Sequence, residues 1–227
     1  MENEPKSIKI IASGDGSHTI FHEGLNETYH SMHGAIQESE HVFIKAGLLE
    51  LIAKKNTIKI FEVGFGTGLN AWLVYKAIAG SSIKIVYHSL EPYPLPEALF
   101  LQLNYTDGIE DKEVKDFFLK LHNAPWDLEV EMNSNFIVKK IKTKLEEYIA
   151  KEDFFDLVFY DAFAPSKQAE MWLPENIQKV YNLLLKEGVL VTYCARGQFK
   201  RDLKAVGFTV ETLLGPPGKK EMTRATK

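Results

Sequence analysis

Cysteine is almost missing: Cys194 is the single one in 227 residues. One thiol excludes an intrachain disulfide and a multi-cysteine metal site, and it fits a reducing, cytoplasmic setting. Long apolar runs are missing too. Stretches such as Val189-Leu190-Val191 fall far short of the ~20 residues of a membrane span. The start, Met1-Glu2-Asn3-Glu4-Pro5-Lys6, has no apolar signal core. The seven histidines are scattered, and His18 and His22, four apart, fall on an expected strand, so no metal is expected. Internal repeats and Gly/Ser/Pro-rich linkers are absent. A single domain over residues 1–227 is therefore expected, with residues 1–55 as a hairpin and helix extension and 56–227 as the core. A monomer is favoured. Finally, there is no basic excess: the net charge is −4, whereas nucleic-acid binders often carry the opposite balance. The charge is uneven, however. Residues 196–227 hold eight basic and three acidic side chains, and Lys139, Lys140, Lys142 and Lys144 form a second cluster. Both read either as solvated surface or as a face that meets phosphates.

What is present is an alternation of strands and helices. Ile8–Ile11 and His18–Phe21 flank Gly14-Asp15-Gly16 and predict a hairpin, and Ile36–Lys54 has helical spacing. Strands are then expected at 58–63, 83–90, 136–141, 155–160, 189–193, 208–213 and 222–226. Helices are expected at 69–79, 94–103, 111–123, 145–150, 174–186 and 198–206. This order predicts a doubly wound α/β fold with a mostly parallel sheet. In such a sheet ligands bind outside the carboxyl ends of the strands, so motifs that follow a strand matter most.

The sharpest motif is Phe61-Glu62-Val63-Gly64-Phe65-Gly66-Thr67-Gly68-Leu69-Asn70, between a strand and a helix. Glycines at alternate positions let the backbone turn tightly and approach a ligand, and the helix start offers unpaired N–H donors. The spacing departs from the G-x-G-x-x-G dinucleotide fingerprint, and no Gly-Lys-Ser/Thr ending makes it a phosphate loop. Glu62 would repel a pyrophosphate but could accept from the amino group of a zwitterion. Glu91 ends the next strand, where a carboxylate can accept from ribose hydroxyls. A nucleoside with an amino-acid tail and no phosphate satisfies both, and the E-x-G-x-G-x-G run resembles the first motif of class I (Rossmann-like) S-adenosylmethionine-dependent methyltransferases. Glu62, Gly64, Phe65, Gly66, Thr67, Gly68, Asn70, Glu91 and Asp161 are the expected cofactor-side residues.

Asp161 ends the strand 155–160 and leads into Ala162-Phe163-Ala164-Pro165-Ser166-Lys167. At the lip of the cleft it suits an aliphatic amine, whose difficulty is protonation. Freeing an alkylamine at pH 7 costs about 4–5 kcal/mol. Asp161 could align such an amine and guide its proton away, as the expected catalytic residue.

The run Asp161–Lys167, with Glu170-Met171-Trp172 after it, resembles the Asp-x-Phe-x-Pro-x-Lys-…-Met-Trp motif of the MnmC-type tRNA (5-methylaminomethyl-2-thiouridylate) methyltransferases. Tyr29-His30-Ser31 with Gln37–Phe43, and Pro216–Met222, resemble two further segments of that family, so the likeness runs from about Asp15 to Ala225. It implies methylation of the aminomethyl group on a wobble uridine, with S-adenosylmethionine as cofactor and the tRNA anticodon arm as partner. It also implies a stand-alone form, because a fused FAD-dependent oxidase domain does not fit in 227 residues. By the same resemblance Tyr29, Glu38, Phe163, Pro165, Lys167, Lys219 and Lys220 are substrate-side residues. Lys167 reads equally as a solvated loop lysine, and Trp172 better as core packing than as a stacking platform. No acid in Ile141–Leu145 stands where class I enzymes often meet the adenine amino group. Two competing readings stay open: a small-amine methyltransferase or aminopropyltransferase on the same scaffold, and a non-catalytic nucleoside or RNA binder.

Overall fold

The structure is a computed structural model that describes residues 8–149 and 151–227. The Met1–Lys6 segment and Ala150, the end of one expected helix, lie outside the described residues. Strands β1 (Ile8–Ala12) and β2 (His18–His22) form the expected hairpin, extended by the two-residue β3 (Glu27–Thr28). The hairpin turn is a helix cap supplied from outside. Ser13 Oγ accepts from Ala35 N, Ser17 Oγ from Ile36 N and Asp15 carboxylate from Gln37 N, at 3.0–3.2 Å. These are three of the orphan donors that open helix α1 (residues 35–52). The expected helix is there, but residues Glu40–Leu48 are wound as a π-helix, a looser turn closed by Leu49 N–H on Ile44 O. Gly47 lies where α1 meets the sheet: a Cβ there would stand 3.1 Å from Val191 Cγ2.

The main sheet is built from β4 (Thr57–Val63), β5 (Lys84–Leu90), β6 (Glu129–Asn133), β7 (Phe136–Ile141), β8 (Phe155–Tyr160), β9 (Leu184–Thr192), β10 (Thr209–Leu214) and β11 (Glu221–Thr226). Among the described residues its order is β10-β11-β9-β8-β4-β5-β7-β6. The strands β9, β8, β4, β5 and β7 are mutually parallel, and β6 and β11 run against their neighbours. This is the doubly wound, mostly parallel sheet expected. The order reverses at β4, with β5 on one side and β8 on the other, so the crevice opens above their carboxyl ends.

Helices α2 (Leu69–Ile78) and α4 (Lys112–Asn123) join α1 over one face, and α5 (Pro174–Leu183) and α6 (Gly197–Val206) cover the other. Strand alternation sorts the residues: Ile58, Ile60, Ile85, Tyr87, Leu157 and Phe159 face the first core, and Phe61, Val63, Val158 and Tyr160 the second. Several expected boundaries move. Between Pro94 and Leu103 only one helical turn forms, α3 (Glu97–Phe100), because proline-rich sequence precedes it. Residues 145–147 form a turn rather than a helix, closed by Tyr148 N on Lys144 O at 3.1 Å. The helix expected to reach Lys186 stops at Leu183, since β9 starts at Leu184 and passes Glu187 in a left-handed conformation (φ 65°) at an irregularity in its pairing with β8. Strands β3 and β6 were not expected; both are short edge strands, β3 of two residues and β6 an alternation of only five, Glu129–Asn133.

Candidate active site

The same alternation puts chemistry at the crevice. Glu62 continues the Ile58–Ile60 side of β4, Ser89 the Ile85–Tyr87 side of β5 and Asp161 the Leu157–Phe159 side of β8. All three therefore point toward α2, where Asn70 occupies the first turn. Asn70 Nδ2 donates to Glu62 Oε1 at 3.0 Å and to Asp161 Oδ2 at 2.8 Å, and Ser89 Oγ donates to Glu62 Oε2 at 2.6 Å. One amide thus links the acid before the glycine turn to the acid that ends β8.

The glycine turn closes over this bridge. Gly64 (φ 95°), Gly66 (φ 50°) and Gly68 (φ 72°) all take left-handed conformations. A Cβ on Gly64 would stand 2.6 Å from Asp161 O, so the turn and the β8 end touch through bare backbone. Glu91, half-buried, accepts from Gly66 N at 3.0 Å and Tyr93 N at 2.9 Å, which turns its carboxylate toward the turn. Burial raises the acids. Glu62, wholly buried, is pushed up to about 8, and the Asp161 charge adds to the effect of burial while Ser89 and Asn70 oppose it. Asp161 rises to about 7, through burial and then the nearby Glu38 charge, and burial takes Glu91 to about 7.

A second wall faces Asp161. The Tyr29 and Phe163 rings meet edge to face at 5.1 Å, and Tyr29 lies against Gly66, whose Cβ would stand 3.2 Å from its ring. Glu38, on α1, is buried, accepts from Ser31 N at 3.0 Å and pairs with Lys219. Lys219 Nζ also lies 4.0 Å from the centre of the Tyr193 ring, and Tyr193 OH donates to Ala162 O at 2.7 Å.

Other expected residues stand apart from the cleft. The Phe65 ring is buried in the core against His122 and Trp126, leaving only its backbone at the turn. Thr67 is buried and holds the turn in place, with Tyr105 OH donating to its Oγ1 at 3.1 Å and its carbonyl bonded to His122 Nε2 at 3.0 Å. Lys167 Nζ donates to Asn26 O at 2.9 Å, tying the β8 loop to the hairpin. Pro165 is half-buried in that loop, and Lys220 is exposed. Trp172 is packed in the second core against Tyr160 and Phe199. Reading the sequence missed Ser89 and Tyr193. Strand parity was the available signal, since both continue the side of their strands that carries Glu62 and Asp161. Among the described residues no group of three or more His, Cys, Asp or Glu could hold a metal ion, and no helix is long and apolar enough to cross a membrane.

A reversed strand inserted at one edge of a parallel sheet, with a glycine turn and two acids at the switch point, defines the class I methyltransferase architecture. Residues 107–227 match the profile of the family described as S-adenosyl-L-methionine-dependent methyltransferase, and the chain belongs to that family. Its cofactor is S-adenosylmethionine. The chain is 28% identical over 213 residues to the tRNA 5-methylaminomethyl-2-thiouridine biosynthesis bifunctional protein MnmC of Marinomonas sp. (strain MWYL1), across 88% of this chain and 31% of that one. The protein of the same description from Cupriavidus metallidurans is 28% identical over 228 residues, across 95% and 33%. The chain thus spans about a third of the length of these curated relatives. The crystal structure of MnmC2 from Aquifex aeolicus matches with a TM-score of 0.77 at 24% identity, across 98% of this chain and 71% of that one. Spermidine synthase from Thermotoga maritima has a TM-score of 0.50 at 14% identity, across 100% and 82%. These two structures share the fold.

The residues present fit the cofactor. Among the described residues Asn70 Oδ1 is buried with no partner, and Glu62 is a buried acid with no cation beside it. An amino group would supply what both lack.

Proposed function

We propose that the chain methylates the aminomethyl nitrogen of 5-aminomethyl(-2-thio)uridine at the wobble position of tRNA, giving 5-methylaminomethyl(-2-thio)uridine. The observation that carries this reading is the Asn70 bridge, which holds Asp161 beside the cofactor turn and opposite a wall of aromatic rings and a second acid. The relatives' descriptions supply the acceptor, and the motif residues Asp161, Phe163 and Pro165 lie in one loop at the crevice.

In this reading Gly64, Gly66 and Gly68 cradle the cofactor, Glu62 with Asn70 receives its amino-acid end and Glu91 its ribose. When bound, S-adenosylmethionine supplies a methyl carbon made electrophilic by the sulfonium sulfur, which keeps the bonding pair when the methyl leaves. Asp161 accepts a hydrogen bond from the acceptor amine and so aims the nitrogen lone pair at that carbon. The methylated nitrogen would carry a positive charge and shed a proton, which the Asp161 carboxylate would accept. Most of the rate enhancement then comes from positioning and from water exclusion by Tyr29 and Phe163. The anticodon arm would meet exposed basic residues such as Lys220 around the cleft. The single, buried Cys194 supports a cytoplasmic location.

The deciding experiment supplies methyl-labelled cofactor and tRNA bearing 5-aminomethyluridine, then digests the RNA to nucleosides. Label in methylaminomethyluridine is expected. Label only in an added small amine, with no salt dependence, would favour the small-amine reading instead.

A further inference from the structure

Lys219, expected among the substrate-side residues, turns inward. It lies in the connection between β10 and β11, and its ammonium is held by the Glu38 carboxylate and by the face of Tyr193 at 4.0 Å. Both holders are themselves fixed, Glu38 by Ser31 N and Tyr193 by Ala162 O. The connection is pinned as well: at Gly218 a Cβ would collide with the His33 ring. The other ionisable groups that feel this ammonium or line its surroundings are Asp161, His30 and Cys194, with Glu27 acting on Tyr193.

The arrangement answers a difficulty in amine methylation. An ionised Asp161 steadies the ammonium form of an approaching alkylamine, and that form has no lone pair. Glu38 compounds the problem, because two acids and three aromatic rings are what a cation seeks. A fixed positive charge in the same pocket opposes it.

We propose that Lys219 is a positioning residue that keeps the acceptor amine unprotonated: pinned between Glu38 and Tyr193, its ammonium fills the cation site of the pocket and offsets the Asp161 charge. This rests on the aminomethyl acceptor proposed above. It gives Lys219 a role in the chemistry rather than on a phosphate.

The test uses an anticodon stem-loop RNA carrying 5-aminomethyluridine and a counterpart carrying 5-hydroxymethyluridine. Single-turnover methylation of the first is followed from pH 6 to 10 for the wild type, Lys219→Met and Lys219→Arg. Binding of both RNAs is measured at pH 7 without cofactor. In Lys219→Met the rise of rate with pH should move upward by about one unit, so the enzyme is about tenfold slow at pH 7 and near wild type at pH 10. Its preference for the aminomethyl over the hydroxymethyl RNA should grow by a similar factor, since it now welcomes the ammonium. Lys219→Arg should keep the wild-type midpoint. Lys219→Gln, which keeps a donor for Glu38, should behave as Lys219→Met and guards against a folding defect in the latter. An equal rate loss at every pH, or equal weakening of both RNAs, would overturn the proposal in favour of a phosphate contact or a structural role. No transfer by the wild type at any pH would instead remove the aminomethyl acceptor itself, and this inference with it.

Discussion

The two halves of the site are built differently. The half proposed for the cofactor is local: Glu62, the three glycines, Asn70, Ser89 and Glu91 come from 30 consecutive residues, held by the pairing of Glu62 with Ser89 across β4 and β5. The half proposed for the acceptor amine is gathered from afar. Tyr29 follows the hairpin, Glu38 sits on α1, Asp161 follows β8, Tyr193 follows β9 and Lys219 precedes β11. A local half is shaped by backbone geometry and tolerates little change in it. A gathered half is shaped by charges and rings, and it can be altered one side chain at a time. Asn70 links the halves by bonding one acid of each, and the Tyr29 ring lies against Gly66.

The comparison can be broken most sharply at Asp161. Asp161→Asn should slow methyl transfer by roughly 10²–10⁴ while cofactor affinity changes only a few-fold, measured by single-turnover kinetics and calorimetry. Comparable losses in both would mean that Asp161 belongs to the cofactor half. Next in size is Gly64→Ala, which puts a Cβ against Asp161 O at a φ of 95°. It should weaken cofactor binding by more than about tenfold and destabilise the fold by about 1–3 kcal/mol; an unchanged melting temperature and affinity would refute the close approach.

Glu62 sharpens the comparison through pH. Its folded value, about 8, lies above the ordinary range, so the neutral form is the stable one in the ligand-free protein. The stability it contributes is full below pH 4.5 and is lost as pH rises through about 8, with Asp161 and Glu91 acting in the same direction up to about 7. A cationic amino group reverses the preference, so cofactor should bind more tightly as pH rises from 6 to 8. Glu62→Gln should flatten the fall of melting temperature over this range and weaken cofactor binding by about tenfold at pH 8. Affinity independent of pH in the wild type would contradict the contact with the amino-acid end. The smallest effect is expected at exposed Lys220: Lys220→Ala should weaken tRNA binding a few-fold and lower its salt slope by about one, with cofactor affinity unchanged.

Much of the fold was legible, because long strands covered on both faces and helices of 3.6 periodicity leave strong patterns. The helix 112–123 and the strands 136–141 and 155–160 were all readable within a residue. What escaped was short, polar or at a seam. Strand β6 alternates over only five residues, too few to stand out, and the border between α5 and β9 falls inside the continuous run Leu183-Leu184-Leu185, where no glycine or proline marks a stop. In the site, the glycine turn with its two flanking acids was readable, and so was Asp161. Phe65 and Thr67 were grouped with the cofactor contacts because a motif counts positions, not directions; their side chains turn into the core and anchor the turn.

By itself the sequence determined the parallel sheet, the turn after its first central strand and the acids that end the strands, since each depends on residues near one another in the chain. Only the tertiary structure decided that Lys219 points inward at Glu38, that Tyr193 supplies a wall and that Lys167 holds the hairpin. Those contacts join segments as far apart as 181 residues. No local preference encodes them; they follow from how α1, the hairpin and the final strand pair close over the carboxyl end of the sheet.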